Sequence, residues 1–255
     1  RYAIPSGMKT LESQNLPEPT VTKPSDFFQT ILYTGNEGTR VIKDGASLGS
    51  GSISLSFAPD FVWLKARSEA YWHGVHDVIR GATKTIYTNR DDADATGELT
   101  HIGTNGDGSS GFTVTTTGVA RFNELNSGGD GETYVGWCLK AGGAASTTSP
   151  AGSLASTSSV ASHGGFSIVS YTGTGSATTV GHGLSRKPSM FIIKQLTDSG
   201  NNWVVYHEGS NATPEDYYLR LNTNNAAADL DTMFDDTKPT DEVFTVGNNT
   251  ATNAG

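Results

Sequence analysis

Three groups of residues have types and spacings that could do chemistry. The stretch Asp92-Ala93-Asp94-Ala95-Thr96-Gly97-Glu98 alternates oxygen-bearing side chains around a glycine, which resembles the opening of a calcium loop. Such a loop needs a bidentate acid at its twelfth position, where Gly103 stands, so a solvated turn is the competing reading. Asp92, Asp94, Thr96 and Glu98 are the candidate Ca2+ ligands, and no other cofactor is expected. His73, His76 and Asp77 place two imidazoles and a carboxylate in one short segment, which suits metal ligation or acid–base exchange. No nucleophile motif or second carboxylate accompanies them, and a strand residue holding the polar end of a cross-strand pair explains them more simply. Tyr71, Trp72, Tyr217 and Tyr218 sit beside predicted loops, where aromatic rings can stack on sugars. Aromatic rings in β modules are more often core. Cys138 has no disulfide partner and, within Tyr-Val-Gly-Trp-Cys-Leu, reads as a small buried apolar residue.

The elements that position these groups are read from a repeat. Phe57 to Lys65, Phe-Ala-Pro-Asp-Phe-Val-Trp-Leu-Lys, recurs as Arg186-Lys187-Pro188-Ser189-Met190-Phe191-Ile192-Ile193-Lys194, with Pro59 and Lys65 matching Pro188 and Lys194 at one offset of 129. Bulky residues on both faces of this run predict a central strand buried on both sides. Phe28, Tyr33, Thr34 and Gly35 match Phe166, Tyr171, Thr172 and Gly173 at an offset of 138. Trp72 and His76 match Trp203 and His207 at 131, and Phe112-Thr113-Val114 matches Phe244-Thr245-Val246 at 132. Anchors in one order with slowly drifting offsets indicate duplication with loop-length changes. Superposed halves are therefore expected to bring Trp63 onto Ile192 and Trp72 onto Trp203.

Composition agrees with an all-β chain. Only 17% of the 255 residues are charged, glycine supplies 31, and Ser, Thr and Asn fill the gaps between short apolar runs. The formal charge of −9 offers no Lys/Arg stripe for nucleic acid, so no nucleic-acid partner is expected. No apolar run reaches the roughly 20 residues of a membrane helix, so no membrane insertion is expected. The reading is two tandem antiparallel β-sandwich, jelly-roll-like, repeat domains. Residues 1–25 form an extended tail of an upstream domain, 26–142 the first repeat, 143–164 a Gly/Ala/Ser/Thr linker and 165–255 the second repeat. Within the first, Ile53, Leu55 and Phe57 alternate with serines as in a strand with one wet face, and Asn89 to Gly108 forms a long polar loop. Tyr134 to Lys140 should be an interior strand closing the repeat, and its copy would fall about ten residues beyond Gly255. The second repeat thus lacks its final strand, and the expectation is that the parent protein continues or that another chain donates it.

Assembled, these words resemble a tandem repeat module of large virion-associated, tail-fibre proteins of marine tailed phages. The matching words include Tyr33-Thr34-Gly35, Phe57 to Lys65, Arg80-Gly81-Ala82-Thr83-Lys84 and Tyr134-Val135-Gly136-Trp137-Cys138. In the second copy they include Val180-Gly181-His182-Gly183-Leu184 and Trp203-Val204-Val205-Tyr206-His207. The opening, with Pro5-Ser6-Gly7 and Asn15-Leu16-Pro17-Glu18-Pro19, is similar to the tail that follows a SPRY-type domain in such proteins. The resemblance implies a non-enzymatic structural or adhesive segment of a virion appendage. It further implies other virion proteins as partners, a homo-oligomer, most often a trimer, and loops offered to a host surface glycan. The alternatives are a carbohydrate-binding module of a bacterial surface protein or a glycan-degrading tail-spike enzyme. The last needs two facing carboxylates roughly 5 to 9.5 Å apart, and the sequence nominates no such pair.

Overall fold

The computed structural model describes residues 21–49, 52–97, 99–115, 131–144 and 151–255. The expected tail 1–20, the candidate ligand Glu98 and linker residues 145–150 lie outside the described residues. The chain is all-β, and its ladders are antiparallel. After a 3-10 turn at Pro24–Asp26, the first half runs β1 (Phe28–Thr34), β2 (Arg40–Lys43), β3 (Phe61–Ala66), β4 (Gly74–Asp77), β5 (Lys84–Tyr87) and β6 (Ala95–Thr96). It continues through β7 (Leu99–Thr104), β8 (Ser110–Val114) and β9 (Thr133–Leu139). Six strands form one sheet in the order β1-β9-β3-β4-β5-β6, and β2-β8-β7 form a second.

Alternation decides which side chains meet between these sheets. Ile31, Tyr33, Val62, Leu64 and Tyr134 point inward from the first sheet onto Ile42, Leu99, Phe112 and Val114 of the second. As expected, β3 is internal and β9 lies between β1 and β3. Gly136 allows that fit, since a Cβ there would stand 3.0 Å from both Ile31 and Leu64. Ile53, Leu55 and Phe57 are buried while the intervening serines are exposed, so the expected alternation is present. They do not form a strand, however: only an isolated bridge, Ser47 to Ser52, marks this segment. The expected polar loop from Asn89 to Gly108 contains β6 and β7, the latter paired with β8.

The second half repeats the plan. It comprises β10 (Ser156–Val160), β11 (Ser167–Tyr171), β12 (Thr178–Gly181), β13 (Met190–Ile193), β14 (Val204–His207), β15 (Tyr217–Arg220), β16 (Ala228–Asp229) and β17 (Val243–Val246). Two short helices, α1 (Asp231–Phe234) and α2 (Thr250–Asn253), complete it. The order β13-β14-β15-β16 copies β3-β4-β5-β6, and the pair β12-β17 copies β2-β8. A second core gathers Val180, Val204, Tyr206, Phe234, Phe244 and Val246. The segment expected as linker supplies β10, which lies along β11, because Ser156, Ser158 and Ser159 are small enough to be buried there.

The registers correct one of the anchors. Val62 and Leu64 face the first core as Phe191 and Ile193 face the second, so Trp63 and Ile192 between them are equivalent; Trp63 then faces Val75 as Ile192 faces Val205. Leu64 faces Gly74 and Ile193 faces Val204, which makes His73, not Trp72, the counterpart of Trp203. By the same register His76 corresponds to Tyr206, and His207 to Asp77. A slip of one residue moves a side chain to the opposite face of a sheet. Accordingly Trp72 packs on the first core, whereas Trp203 packs against the outside of the first sheet.

Candidate functional site

The outer faces of the two large sheets meet in a third apolar cluster. Val75, Ile86 and Trp203 are buried in it, with Phe61, Trp63 and Leu196 against them. Burying an indole leaves its N–H needing an acceptor. Nε1 of Trp203 donates to the carbonyls of Tyr87 (3.0 Å) and Arg90 (3.1 Å). The acidic stretch read as a calcium loop reinforces this seam through its backbone. Asp94 N donates to Leu196 O (2.8 Å), Gly200 N to Asp91 O (3.0 Å) and Ala93 N to Ser199 Oγ (3.2 Å).

Its carboxylates are engaged separately. Asp92 is held by the Arg90 guanidinium, Asp94 lies 3.2 Å from Lys84 Nζ, and exposed Thr96 faces Lys84 across β5–β6. Among the described residues, no three His, Cys, Asp or Glu side chains are grouped to hold a metal ion. The expected ligand set is therefore not assembled from Asp92, Asp94 and Thr96: lysine and arginine compete for the same oxygens.

Along one edge of the seam lies a cleft of about 610 Å³, lined by Trp63, His73, Thr88, Asn89, Leu221 and Asn222, with Asn224 nearby on its wall. Two buried polar atoms in this lining, Trp63 Nε1 and Thr88 Oγ1, have no hydrogen-bond partner among the described residues. Asn89 Oδ1 accepts from His73 N (3.0 Å), and Asn222 Oδ1 accepts from Trp203 N (3.0 Å). Burial, and then the neighbouring Lys65 charge, push the His73 imidazole below its ordinary value. The cleft therefore presents an indole, hydroxyl and amide groups and a neutral imidazole. That chemistry suits stacking and hydrogen bonding to a neutral polar ligand.

The other residues nominated from sequence have structural engagements. Asp77 accepts from Ile79 N (3.0 Å), Arg80 N (2.9 Å) and Arg80 Nε (2.6 Å), so it closes the turn after β4 with a buried ion pair. His76 is fully buried and its Nδ1 meets Ala82 O at 3.1 Å. Tyr71 packs on the first core, where its hydroxyl donates to Glu132 (2.9 Å). Trp72 meets Tyr87 edge to face, with the Arg90 guanidinium 4.1 Å from its ring centre. Tyr218 is buried in the second core, and half-buried Tyr217 faces Asp229 across β15–β16. The four aromatics thus do not form one platform, and Trp63 is the indole in the cleft. Its place on the outer face could have been read from its parity with Phe61, but not the presence of a second sheet opposite. Cys138 is buried as expected, and burial pushes its thiol far up.

The chain belongs to the family described as a domain of unknown function, DUF7483, whose model matches residues 23–255 and so spans both halves. No curated protein and no solved structure matches the chain.

Proposed function

We propose that the chain is a non-enzymatic structural and adhesive segment of a phage tail fibre or other virion appendage, acting with other virion proteins as a homo-oligomer, trimeric by preference. The observation that carries this reading is the use made of the repeated residues. Tyr33 and Phe112 in the first half, and Phe244 in the second, are buried between sheets, while Trp203, which is not among the repeated residues, joins one half to the other. Duplication of this kind extends a scaffold by stacking like upon like. Immunogold labelling with antibodies to the purified chain tests it on particles and cells from a culture that produces the protein. Label on particle appendages is the expected result, and label confined to a bacterial envelope would overturn it in favour of a bacterial surface protein.

The seam cleft favours a second reading, glycan recognition, because its indole and the amides of Asn89, Asn222 and Asn224 match a sugar's apolar face and hydroxyls. Glycan-array binding that falls at least tenfold in Trp63→Ala is the expected outcome. Silence of the unaltered chain across a broad array would remove this reading and leave the structural one standing.

A further inference from the structure

In the first half, β9 lies between β1 and β3 and bonds to both: Gly136 faces Ile31 on one side and Leu64 on the other. Their counterparts β11 and β13 pair only with β10 and β14, and no described strand lies between them. Between their facing edges is a groove of about 940 Å³. Side chains that β9 helps to bury in the first half are more open here. Tyr33 is 0% exposed and Val62 0%, while their equivalents Tyr171 and Phe191 are only half-buried. Met190 and Ile192 are 53% and 38% exposed on the outer face of β13. The wall contributed by the first half carries Arg80, whose side chain is 8% exposed and whose buried Nη1 has no acceptor among the described residues.

We propose that this groove is the receptor for one extended polypeptide segment with the side-chain pattern of Thr133–Leu139, inserted antiparallel to both β11 and β13. Two features fix the occupant's chemistry. Facing strand edges present backbone donors and acceptors to an inserted strand on both sides, which a small apolar ligand cannot answer. Inward positions must then fit the second core as Tyr134, Gly136 and Cys138 fit the first, with the smallest residue opposite Val169 and Ile193. Outward positions face the first half, whose wall carries Phe61, Trp63 and Ile79. The inserted strand begins beside Thr172, the equivalent of Thr34, which faces Thr133 at the start of β9. In the first half Gly35 N donates to Glu132 O (2.8 Å) just before β9, and in the second half Ala254 and Gly255 lie against Gly173, Thr174 and Gly175.

The test adds a synthetic peptide of the sequence from Gly131 to Ala141 to the purified chain and follows amide hydrogen exchange. A second protein carries the same eleven residues after Gly255 through a short Gly/Ser linker, so that weak binding in trans does not hide insertion. The expected result, in the tethered protein at least, is tenfold or greater slowing of exchange in both Ser167–Tyr171 and Met190–Ile193. Replacing Val135 and Trp137 of the added segment by proline removes strand N–H donors and should abolish the slowing. Protection of neither strand in the tethered protein, or of β11 alone, would overturn the proposal. So would a chain that self-associates and already protects both edges without any added segment, because a second copy would then be the occupant.

Discussion

The imidazole of His76 is sealed between β4 and the turn that follows, where water cannot solvate a positive charge. Burial, followed by the nearby Arg80 guanidinium, pushes it down to about 3. In the unfolded chain a histidine titrates near 6.5. Between those values the unfolded state binds a proton that the folded state refuses, so stability falls as pH drops below about 6.5 and is fully present above it. One such group gives a slope of about 1.4 kcal/mol per pH unit. His73 and His182 are shifted down by burial as well and add in the same direction. Asp60 is shifted up by burial, so its contribution has the opposite sign in the range where carboxylates titrate. Urea unfolding at pH 7, 6 and 5 should therefore show declining midpoints, and His76→Gln should flatten the decline by about one histidine's share. An identical slope in that variant would exclude His76 as a source. The sequence showed a histidine in a strand next to bulky residues. Its complete burial depended on the turn around Ala82, which no periodicity announces.

At the level of elements, strands with strong alternation were legible and their partners were not. The stretches Phe57 to Lys65 and Tyr134 to Lys140 read as holding interior strands, and the strands they overlap, β3 and β9, are interior. Ile53, Leu55 and Phe57 alternate with serines, yet alternation reports which side chains are buried, not whether a ladder forms: Ile53 bonds to the Gly45 and Ala46 backbone, and the pairing goes no further than the bridge at Ser47 and Ser52. The pairing of Trp72 with Trp203 failed for a related reason. Identical letters at similar spacing align a sequence, but cross-strand register sets the face, and a one-residue difference in the β3–β4 connection moved one indole inward and the other outward. That difference also hid the candidate site, since an outward Trp203 is what brings the two sheets together beside Trp63. The acidic stretch shows the same limit of spacing as evidence. Its spacing suits a cation, while its backbone and its basic neighbours serve the seam.

Across the whole molecule, the seam joins the two halves, and Trp203 is expected to couple their unfolding. Its ring sits 6% exposed among Val75 and Ile86 from the opposite sheet, and its N–H bridges two carbonyls of the first half. Trp203→Phe keeps most of the apolar contact but leaves those carbonyls without this donor, which costs about 1–3 kcal/mol where the site stays dry. Trp203→Ala also opens a cavity and should cost about 3–5 kcal/mol. Each half has a core of its own, so the larger loss should fall on their coupling more than on either core. Differential scanning calorimetry should then resolve two transitions in Trp203→Ala where the unaltered chain shows one, with Trp203→Phe shifted but still single. A single transition at the original temperature in Trp203→Ala would mean that the halves are joined by the Asp91–Asp94 and Leu196–Gly200 backbone bonds, with the indole contributing little.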